Sequence, residues 1–198
     1  MLNVGIIGLG VGEQHIVGYG RHPRCEVVAV CDFNPERLAT AGVRYPELSL
    51  TADAEEILTD SRIDCVSIAS YDNHHGAQVC MALDNDKHVF VEKPLCVHEG
   101  EAIAIRDRLL RKPHLKLSSN LVLRRSPRFR LLKKMIGTGE FGDIYYLEGD
   151  YNYGRIEKLT AGWRGDLDFY SVVYGGGVHL IDLMLWLTGD DITEVSAF

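Results

Sequence analysis

Short apolar runs alternate with amphipathic stretches over the first 120 residues of the chain. Runs this short and this apolar are typical of strands that are buried on both faces of a parallel sheet. Strands that alternate with helices of this length predict βαβ units, and therefore a doubly wound parallel sheet in an α/β fold. The predicted strands lie at residues 4–8, 26–31, 63–69, 88–91 and 116–123.

Polar residues mark where the intervening helices are predicted to begin. Asn34 stands before a proline and Asp53 begins a stretch like a capping box, so each is predicted to cap a helix. Asn73 is predicted to cap a further helix that ends near Asn85. The other two helices are predicted at residues 12–19 and 99–111.

The pattern changes after about residue 123. A basic amphipathic helix is predicted at 127–136, a tyrosine-rich alternating strand at 143–153, an apolar helix at 178–187 and a last strand at 192–198. Two strands cannot bury a sheet face unaided. The chain is therefore predicted to contain a first domain at 1–122 and, at 123–198, the start of an α+β second domain with an open, incomplete sheet.

Composition narrows the class of protein. The chain has 198 residues, 46% hydrophobic and 25% charged, which is typical of a folded globular protein. Its net charge of −7 disfavours binding to nucleic acid, and no apolar run is long enough to span a membrane. The five cysteines form no C-x-x-C pair, and the first residues lack the pattern of a secretory signal. We therefore expect a cytoplasmic protein with free thiols and no metal site.

The glycine-rich stretch GLGVG at residues 8–12 follows the first predicted strand and begins the first predicted helix. Such a turn lets a pyrophosphate approach the backbone at a helix N-terminus. Glu13 stands where Gly or Ala is usual, so Gly12 is expected to relieve the packing instead. A plain strand–helix turn is the alternative. The turn residues predicted to bind a dinucleotide are Gly8, Gly10, Val11 and Gly12.

The second predicted strand ends at Asp32, where a carboxylate can accept hydrogen bonds from a ribose hydroxyl. A carboxylate at this point repels a 2′-phosphate, so NAD is favoured over NADP, although Arg37 lies nearby in the sequence. The alternative role for Asp32 is that of a helix cap before Asn34. Farther on, Lys93 follows the fourth of these strands. It is predicted to lie near the nicotinamide, because ligands bind beyond the carboxyl ends of parallel strands. Alone, a lysine at a strand end is more often merely exposed.

Four stretches together resemble the glucose–fructose oxidoreductase, inositol dehydrogenase and MocA (Gfo/Idh/MocA) family over essentially the whole chain. They are GLGVGEQH at 8–15, SYDNHH at 70–75 with KHVFVEKPL at 87–95, RRSPRF at 124–129 with GEFGDI at 139–144, and WR at 163–164 with GGVHLID at 176–182.

The resemblance implies an NAD(P)-dependent oxidoreductase that acts on a hydroxyl or keto carbon of a sugar, polyol or sugar nucleotide. By this resemblance Lys93 orients and polarises the reacting hydroxyl, and His179 is the general acid/base. A histidine suits this role because it exchanges protons near neutral pH. Alone, however, His179 would more often be structural. The resemblance also implies cofactor contacts from Ser70, Asp72, His75, Glu92 and Lys93, and substrate contacts from Lys93, Arg124, Trp163, Arg164 and Asp182.

Three departures from the family bear on function. Relatives often carry Asp at the position of Gly175 and Gly at the position of Asp86, and they continue with several more strands. The alternative function is therefore a nucleotide-binding protein, or an inactive fragment, without turnover. A DNA-binding regulator is disfavoured by the charge.

Two surface features leave their roles open. The basic cluster at residues 124–134 is either a solvated helix face or a contact for an anionic sugar-nucleotide phosphate. Tyr145, Tyr146, Tyr151 and Tyr153 are predicted to pack a sheet face that joins subunits of a homo-oligomer.

Overall fold

A computed structural model describes residues 1–168 and 170–197, and the chain divides into two compact units, Met1–Asn120 and Leu121–Phe198. The strands of the first unit are β1 (Leu2–Ile7), β2 (Cys25–Cys31), β3 (Ser49–Thr51), β4 (Cys65–Ile68), β5 (His88–Val91) and β6 (Leu117–Ser119). They form one parallel sheet in the order β3-β2-β1-β4-β5-β6. The predicted doubly wound parallel sheet is thus confirmed.

Helices cover both faces of this sheet. They are α1 (Gly12–Gly20), α2 (Pro35–Arg44), α3 (Ala54–Thr59), α4 (Asp72–Asp84) and α5 (Glu99–Arg111). One core cluster joins α1 and α2 to the face that carries Val4, Ile6 and Val30. The other joins α3, α4 and α5 to the face that carries Val66 and Val91. Both clusters consist of apolar side chains that are almost fully buried, which is the main stabilising contribution to such a fold.

The helix caps agree with the sequence at two of three positions. Asn34 Oδ1 accepts a hydrogen bond from Glu36 N at 2.9 Å, and Asp53 Oδ1 accepts one from Glu55 N at 2.9 Å. The predicted cap at Asn73 is wrong, because α4 begins at Asp72 and its cap is Tyr71. A carboxylate in the first turn interacts favourably with the helix dipole, and Asp72 provides this in place of a side-chain cap.

Two strands differ from the prediction. The sequence analysis missed β3, which has only three residues, and β6 ends at Ser119 rather than near residue 123. Asp86 adopts a φ of 58°, in the left-handed region that favours glycine. The glycine that the family resemblance suggests for this position would adopt the same conformation without strain.

The second unit contains α6 (Pro127–Gly137), α7 (Glu157–Thr160) and α8 (Val178–Thr188). A π-helical turn, Val173–Gly177, leads directly into α8, which ends at Gly189 with a φ of 82°. The predicted strands at 143–153 and 192–198 are not formed among the described residues, and Phe198 lies outside them. Alternation alone does not make a strand, because a strand also needs a neighbour to hydrogen-bond its backbone.

The five cysteines are free thiols, as expected. Burial raises the pKa of Cys31 to about 12 and that of Cys65 to about 11, so both stay protonated at neutral pH. Among the described residues, no helix combines the length and the apolar character that crossing a bilayer requires.

Candidate active site

The sheet order places a crevice at one edge of the first unit. β1 pairs with β2 on one side and with β4 on the other, so the strand order reverses at β1. In open parallel sheets, ligands bind beyond the carboxyl ends of the strands at such a reversal. Gly8, Asp32 and the stretch that begins at Ser70 follow these three strands, and all of them were predicted to bind the cofactor.

The glycine turn is shaped by close contacts that exclude side chains. Gly8 has a φ of 89°, and a Cβ atom there would collide with the carbonyl of Ala69. A Cβ atom on Gly12 would already lie 3.1 Å from Cγ2 of Ile6. Gly12 therefore brings α1 close to the sheet, as the sequence predicted. In the first turn of α1, Glu13 pairs with Arg44 of α2.

The Val11 end of α1 carries no side-chain cap among the described residues. The first N–H groups of a helix need an acceptor, and an anionic phosphate supplies one. The narrow glycine turn, the uncapped helix end and the nearby carboxylate of Asp32 fit the pyrophosphate and ribose of a dinucleotide.

Asp32 is buried, with 3% of the residue exposed, and holds two loops together. Its Oδ2 accepts a hydrogen bond from Leu9 N at 2.7 Å, and its Oδ1 accepts one from Asn34 N at 2.8 Å. Asn34, not Asp32, caps α2. Asp32 is therefore a support for the glycine turn rather than the helix cap that the sequence left open.

A cavity of about 230 Å³ lies between α1 and α2. Glu13 and Glu36 line it together with Arg37, whose Nη1 is 3.5 Å from Oδ2 of Asp32. Glu13 also pairs with Arg44, so three carboxylates, Asp32 included, lie beside two guanidiniums in this region. This balance of charge is unfavourable for a 2′-phosphate.

His75 joins two loops at the same edge of the sheet. Its side chain is fully buried; Nδ1 lies 2.7 Å from the carbonyl oxygen of Pro94, and Nε2 lies 3.2 Å from that of Ser70. The Ser70 hydroxyl donates a 2.6 Å hydrogen bond to Gln78 of α4. Both ring nitrogens of His75 thus face carbonyl oxygens of the protein, which accept a hydrogen bond from the ring N–H, and this contact supports the turn that carries Lys93.

Glu92 and Lys93 follow β5 directly. Burial raises the pKa of Glu92, but hydrogen bonds from His15, from Asn120 and from the backbone N–H of Lys93 lower it. The net result is a pKa below the usual value, so Glu92 is a carboxylate at neutral pH. The backbone of Lys93 therefore lies next to the negative charge of the Glu92 carboxylate.

In the second unit, Arg124 and Asp182 form an ion pair through two hydrogen bonds, of which the Nε–Oδ2 bond is 2.8 Å long. This pair joins the 3₁₀ turn that follows β6 to α8. The hydrogen bond from Asp182 raises the pKa of Arg124. Both residues were predicted to bind substrate, and their charges are already compensated by each other.

His179 is the second residue of α8, one turn after Gly175. A Cβ atom on Gly175 would lie 3.3 Å from both the Tyr170 hydroxyl and Cδ2 of Leu159, so neighbouring side chains occupy the space beside this glycine. The Trp163–Arg164 pair also lies in this unit, with the guanidinium of Arg164 4.2 Å from the centre of the Trp163 ring. Lys93 belongs to the first unit and His179 to the second.

One member of the basic cluster has a structural role. Lys133 Nζ donates a 3.1 Å hydrogen bond to the carbonyl of Leu187 at the end of α8. A cation at a helix C-terminus is stabilising. The tyrosines of residues 143–153 are mostly exposed; Tyr151 and Tyr153 stack with their ring centroids 5.8 Å apart.

Three residues of the site were not predicted by sequence reasoning as functional side chains: His15, Ser67 and Asn120. His15 lies on α1, while Ser67 is in β4 and Asn120 follows β6. They are distant in sequence, and only the strand order brings them together. Among the described residues, no group of His, Cys, Asp and Glu side chains is arranged to bind a metal ion.

Comparison with known proteins identifies the family. A family model described as an oxidoreductase family with an NAD-binding Rossmann fold matches residues 2–120, and a Gfo/Idh/MocA C-terminal domain model matches residues 129–198. The chain belongs to the Gfo/Idh/MocA family of oxidoreductases. The Gfo/Idh/MocA resemblance seen in the sequence is thus confirmed.

Two curated members of the Gfo/Idh/MocA family illustrate the similarity. The inositol 2-dehydrogenase/D-chiro-inositol 3-dehydrogenase of Lacticaseibacillus casei is 30% identical over 98% of this chain and 55% of its own length. The levoglucosan dehydrogenase of Pseudarthrobacter phenanthrenivorans is 29% identical over 96% of this chain and 52% of its own length. The chain therefore spans about half the length of these relatives.

Solved structures of the family agree. The myo-inositol 2-dehydrogenase of Lactobacillus plantarum superimposes with a TM-score of 0.85 at 25% identity, over 96% of this chain and 57% of that protein. The myo-inositol dehydrogenase of Lactobacillus casei, solved with NAD(H) and myo-inositol, gives a TM-score of 0.78 at 28% identity. The match covers 96% of this chain and 55% of that protein. The fold is thus that of an NAD-binding dehydrogenase family.

Proposed function

We propose that this chain takes part in hydride transfer between NAD and a secondary hydroxyl or keto carbon of a sugar, a polyol or a sugar nucleotide. The observation that carries the proposal is the buried carboxylate of Asp32 at the reversal of the strand order, bonded to the glycine turn at Leu9. The family supports the same chemistry, since its relatives include inositol and levoglucosan dehydrogenases.

NAD is the proposed cofactor rather than NADP. Asp32 and the two glutamates of the α1–α2 cavity oppose a 2′-phosphate, and these three carboxylates outnumber their cations Arg37 and Arg44. When bound, the nicotinamide ring supplies the acceptor or donor of the hydride. The glycine turn and the N-terminus of α1 hold the pyrophosphate, and Asp32 accepts hydrogen bonds from the ribose.

Lys93 and His179 are the proposed catalytic residues. In the oxidation direction, the Lys93 ammonium donates a hydrogen bond to the reacting oxygen and stabilises the negative charge that develops there. The imidazole of His179 accepts the hydroxyl proton as the carbon–hydrogen bond breaks, and it returns a proton in the reverse direction. Arg124, Trp163, Arg164 and Asp182 remain the proposed substrate contacts. The separate, partly formed second domain is proposed to bind substrate and to join subunits.

The test is an NADH titration followed by hydride transfer with a panel of substrates: myo-inositol, scyllo-inositol, levoglucosan and a uridine diphosphate sugar. Lys93→Ala and His179→Ala should each lower turnover by about 10²–10⁴-fold while NADH still binds. Lys116→Ala and His114→Ala are the matched controls, because Lys116 lies at the opposite end of the sheet and His114 is exposed. Full activity in both catalytic variants would refute the assignment.

A second candidate is a nucleotide-binding protein without turnover. Gly175 favours it, because this position offers no acid and its surroundings are filled by Tyr170 and Leu159. This candidate predicts that NADH binds with normal affinity while every substrate of the panel fails. Turnover with any one of them excludes it.

A further inference from the structure

A line of polar side chains crosses the α1-facing side of the sheet in the first unit. His15 of α1 lies with Nδ1 2.9 Å from Oγ of Ser67 in β4, and with Nε2 3.1 Å from Oε1 of Glu92 after β5. The ring edge packs against Phe90, with the ring centroids 5.5 Å apart. His15 is therefore held by two hydrogen bonds and one aromatic contact.

Glu92 is the point where this line meets the proposed catalytic lysine. Besides His15, Asn120 donates a 2.6 Å hydrogen bond from Nδ2 to Oε1 of Glu92, and the backbone N–H of Lys93 bonds the same carboxylate. Three donors from three parts of the chain thus converge on one largely buried side chain. We call His15, Glu92 and Asn120 the carboxylate clamp.

The hydrogen-bond partners decide which ring nitrogen of His15 carries the proton. An ionised carboxylate can only accept, so Nε2 of His15 donates to Glu92. In the neutral imidazole, Nδ1 then accepts from the hydroxyl of Ser67. Ser67 also hydrogen-bonds the hydroxyl of Tyr19, whose pKa is raised by burial. Each polar group of this line therefore has a partner.

We propose that His15 is a positioning residue that acts on Lys93 through Glu92, an inference that rests on the proposed function. Glu92 lies within one residue of Lys93, and its carboxylate fixes the backbone N–H from which the lysine side chain starts. Without the donor at His15, a partly buried carboxylate loses a charge-assisted bond and turns towards water. The backbone of Lys93 then loses its acceptor, and a displacement of about 1 Å at a reacting group can cost about 10²-fold in rate.

Three substitutions separate positioning from simple packing. The side-chain nitrogen of glutamine falls near Nε2 of histidine and that of asparagine near Nδ1. His15→Gln therefore keeps the donor to Glu92, His15→Asn keeps only a group near Ser67, and His15→Ala keeps neither. A packing role predicts that all three variants lose function in proportion to their loss of thermal stability.

The first readout needs no cofactor: amide hydrogen exchange at Lys93, followed by NMR in the whole chain. We expect exchange at Lys93 to be at least about tenfold faster in the Asn and Ala variants and near the original rate in the Gln variant. The Val89 amide of β5, which donates to the carbonyl of Lys116 at the start of β6, should keep its exchange rate in all three variants. Equal exchange at Lys93 in the Gln and Asn variants would overturn the proposal.

The second readout is kinetic. The Asn and Ala variants should lose at least about tenfold in kcat, while the NADH dissociation constant and the KM for substrate change less than about twofold. The Gln variant should recover most of kcat. If the unmodified chain binds no NADH, the proposed function fails; the amide exchange still reports whether the clamp exists. If NADH binds and turnover occurs but the Gln variant is as slow as the Ala variant, only the positioning role fails.

Discussion

The backbone N–H of Leu9 lies 2.7 Å from Oδ2 of Asp32, so the turn after β1 is tied directly to the end of β2. Asp32 thereby shapes the glycine turn, and in the proposed function it also presents negative charge to the ribose of the dinucleotide. A substitution at this position should therefore change affinity and cofactor preference together.

Asp32→Ser should weaken NADH binding by about 10- to 100-fold, because a hydrogen bond to a charged group is worth about 1.5–3 kcal/mol. The affinity for NADPH should fall less than that for NADH, because the substitution removes the repulsion between Asp32 and the 2′-phosphate. Fluorescence titration with both nucleotides measures the shift in their ratio. Asp107→Ser, at a partly exposed position of α5 far from Asp32 in the sequence, is the control. An unchanged ratio in Asp32→Ser would show that the ribose lies elsewhere.

Gly8→Ala should lower the free energy of unfolding by about 2 kcal/mol or more. A left-handed φ alone costs alanine about 1–2 kcal/mol, and its Cβ atom would also press on Ala69. Gly18→Ala is the matched control: a Cβ there meets no atom within 4 Å, and alanine in a helix interior gains up to about 1 kcal/mol. Urea unfolding of both variants measures the contrast. Equal stabilities would contradict the strained turn.

Lys87→Met should destabilise the first unit without changing NADH affinity. The residue is 2% exposed, and its Nζ donates to the carbonyls of Asp60 at 2.6 Å and Ile63 at 2.9 Å. Methionine removes both hydrogen bonds; the carbonyl of Asp60 still accepts from Ile63 N at 3.1 Å, but that of Ile63 loses its donor, which costs about 1–3 kcal/mol. Lys87 directly precedes β5. It therefore lies at the amino ends of the strands, whereas the proposed site lies at their carboxyl ends. Thermal melting measures the loss of stability, and NADH titration measures the affinity. Lys116→Met, at an exposed position, is the control.

Glu92→Gln should remove a part of the stability that depends on pH. The folded pKa of Glu92 lies below its ordinary value of 4.5, so the carboxylate stabilises the fold above that pH. This contribution is lost as the pH falls through the folded pKa. The difference in unfolding free energy between the original chain and Glu92→Gln should therefore be largest near neutrality and shrink below pH 4.5. Urea titrations across this range measure the difference, and a difference that stays constant below pH 4.5 would contradict the prediction.

Much of the first unit could be predicted because its strands are buried on both faces, which gives continuous apolar runs. β5 and α5 occur where the sequence places them, and Asn34 and Asp53 cap helices as predicted. β3 was missed because three residues at a sheet edge, two of them polar, produce no periodic signal. The tyrosine-rich segment was misjudged because alternation reports which side chains share a face, not whether a neighbouring strand is present.

The sequence could suggest candidate site residues where one residue type at one place implies the chemistry, as at Gly8 or Lys93, and the role of Lys93 stays a prediction. The carboxylate clamp could not be predicted from the sequence, because His15 and Asn120 contribute through contacts between distant segments. A single histidine in a helix does not indicate which residue it will contact. Gly12 lies between these cases: its spacing suggested a packing role, and its contact with Ile6 bears that role out.

The strand order also has a consequence for synthesis on the ribosome. β1 is joined to β2 by a short connection, but its other edge pairs with β4. Val4 can therefore pair with Cys65 only after residue 65 has been synthesised. Until that segment emerges, the nascent chain presents an open, apolar strand edge of the kind that pairs wrongly with other chains. Asn3 offers a polar counterpart for the incoming segment, since it exchanges hydrogen bonds with Asp64 and donates one to the carbonyl of Arg62. These bonds help to specify the register in which β4 pairs with β1.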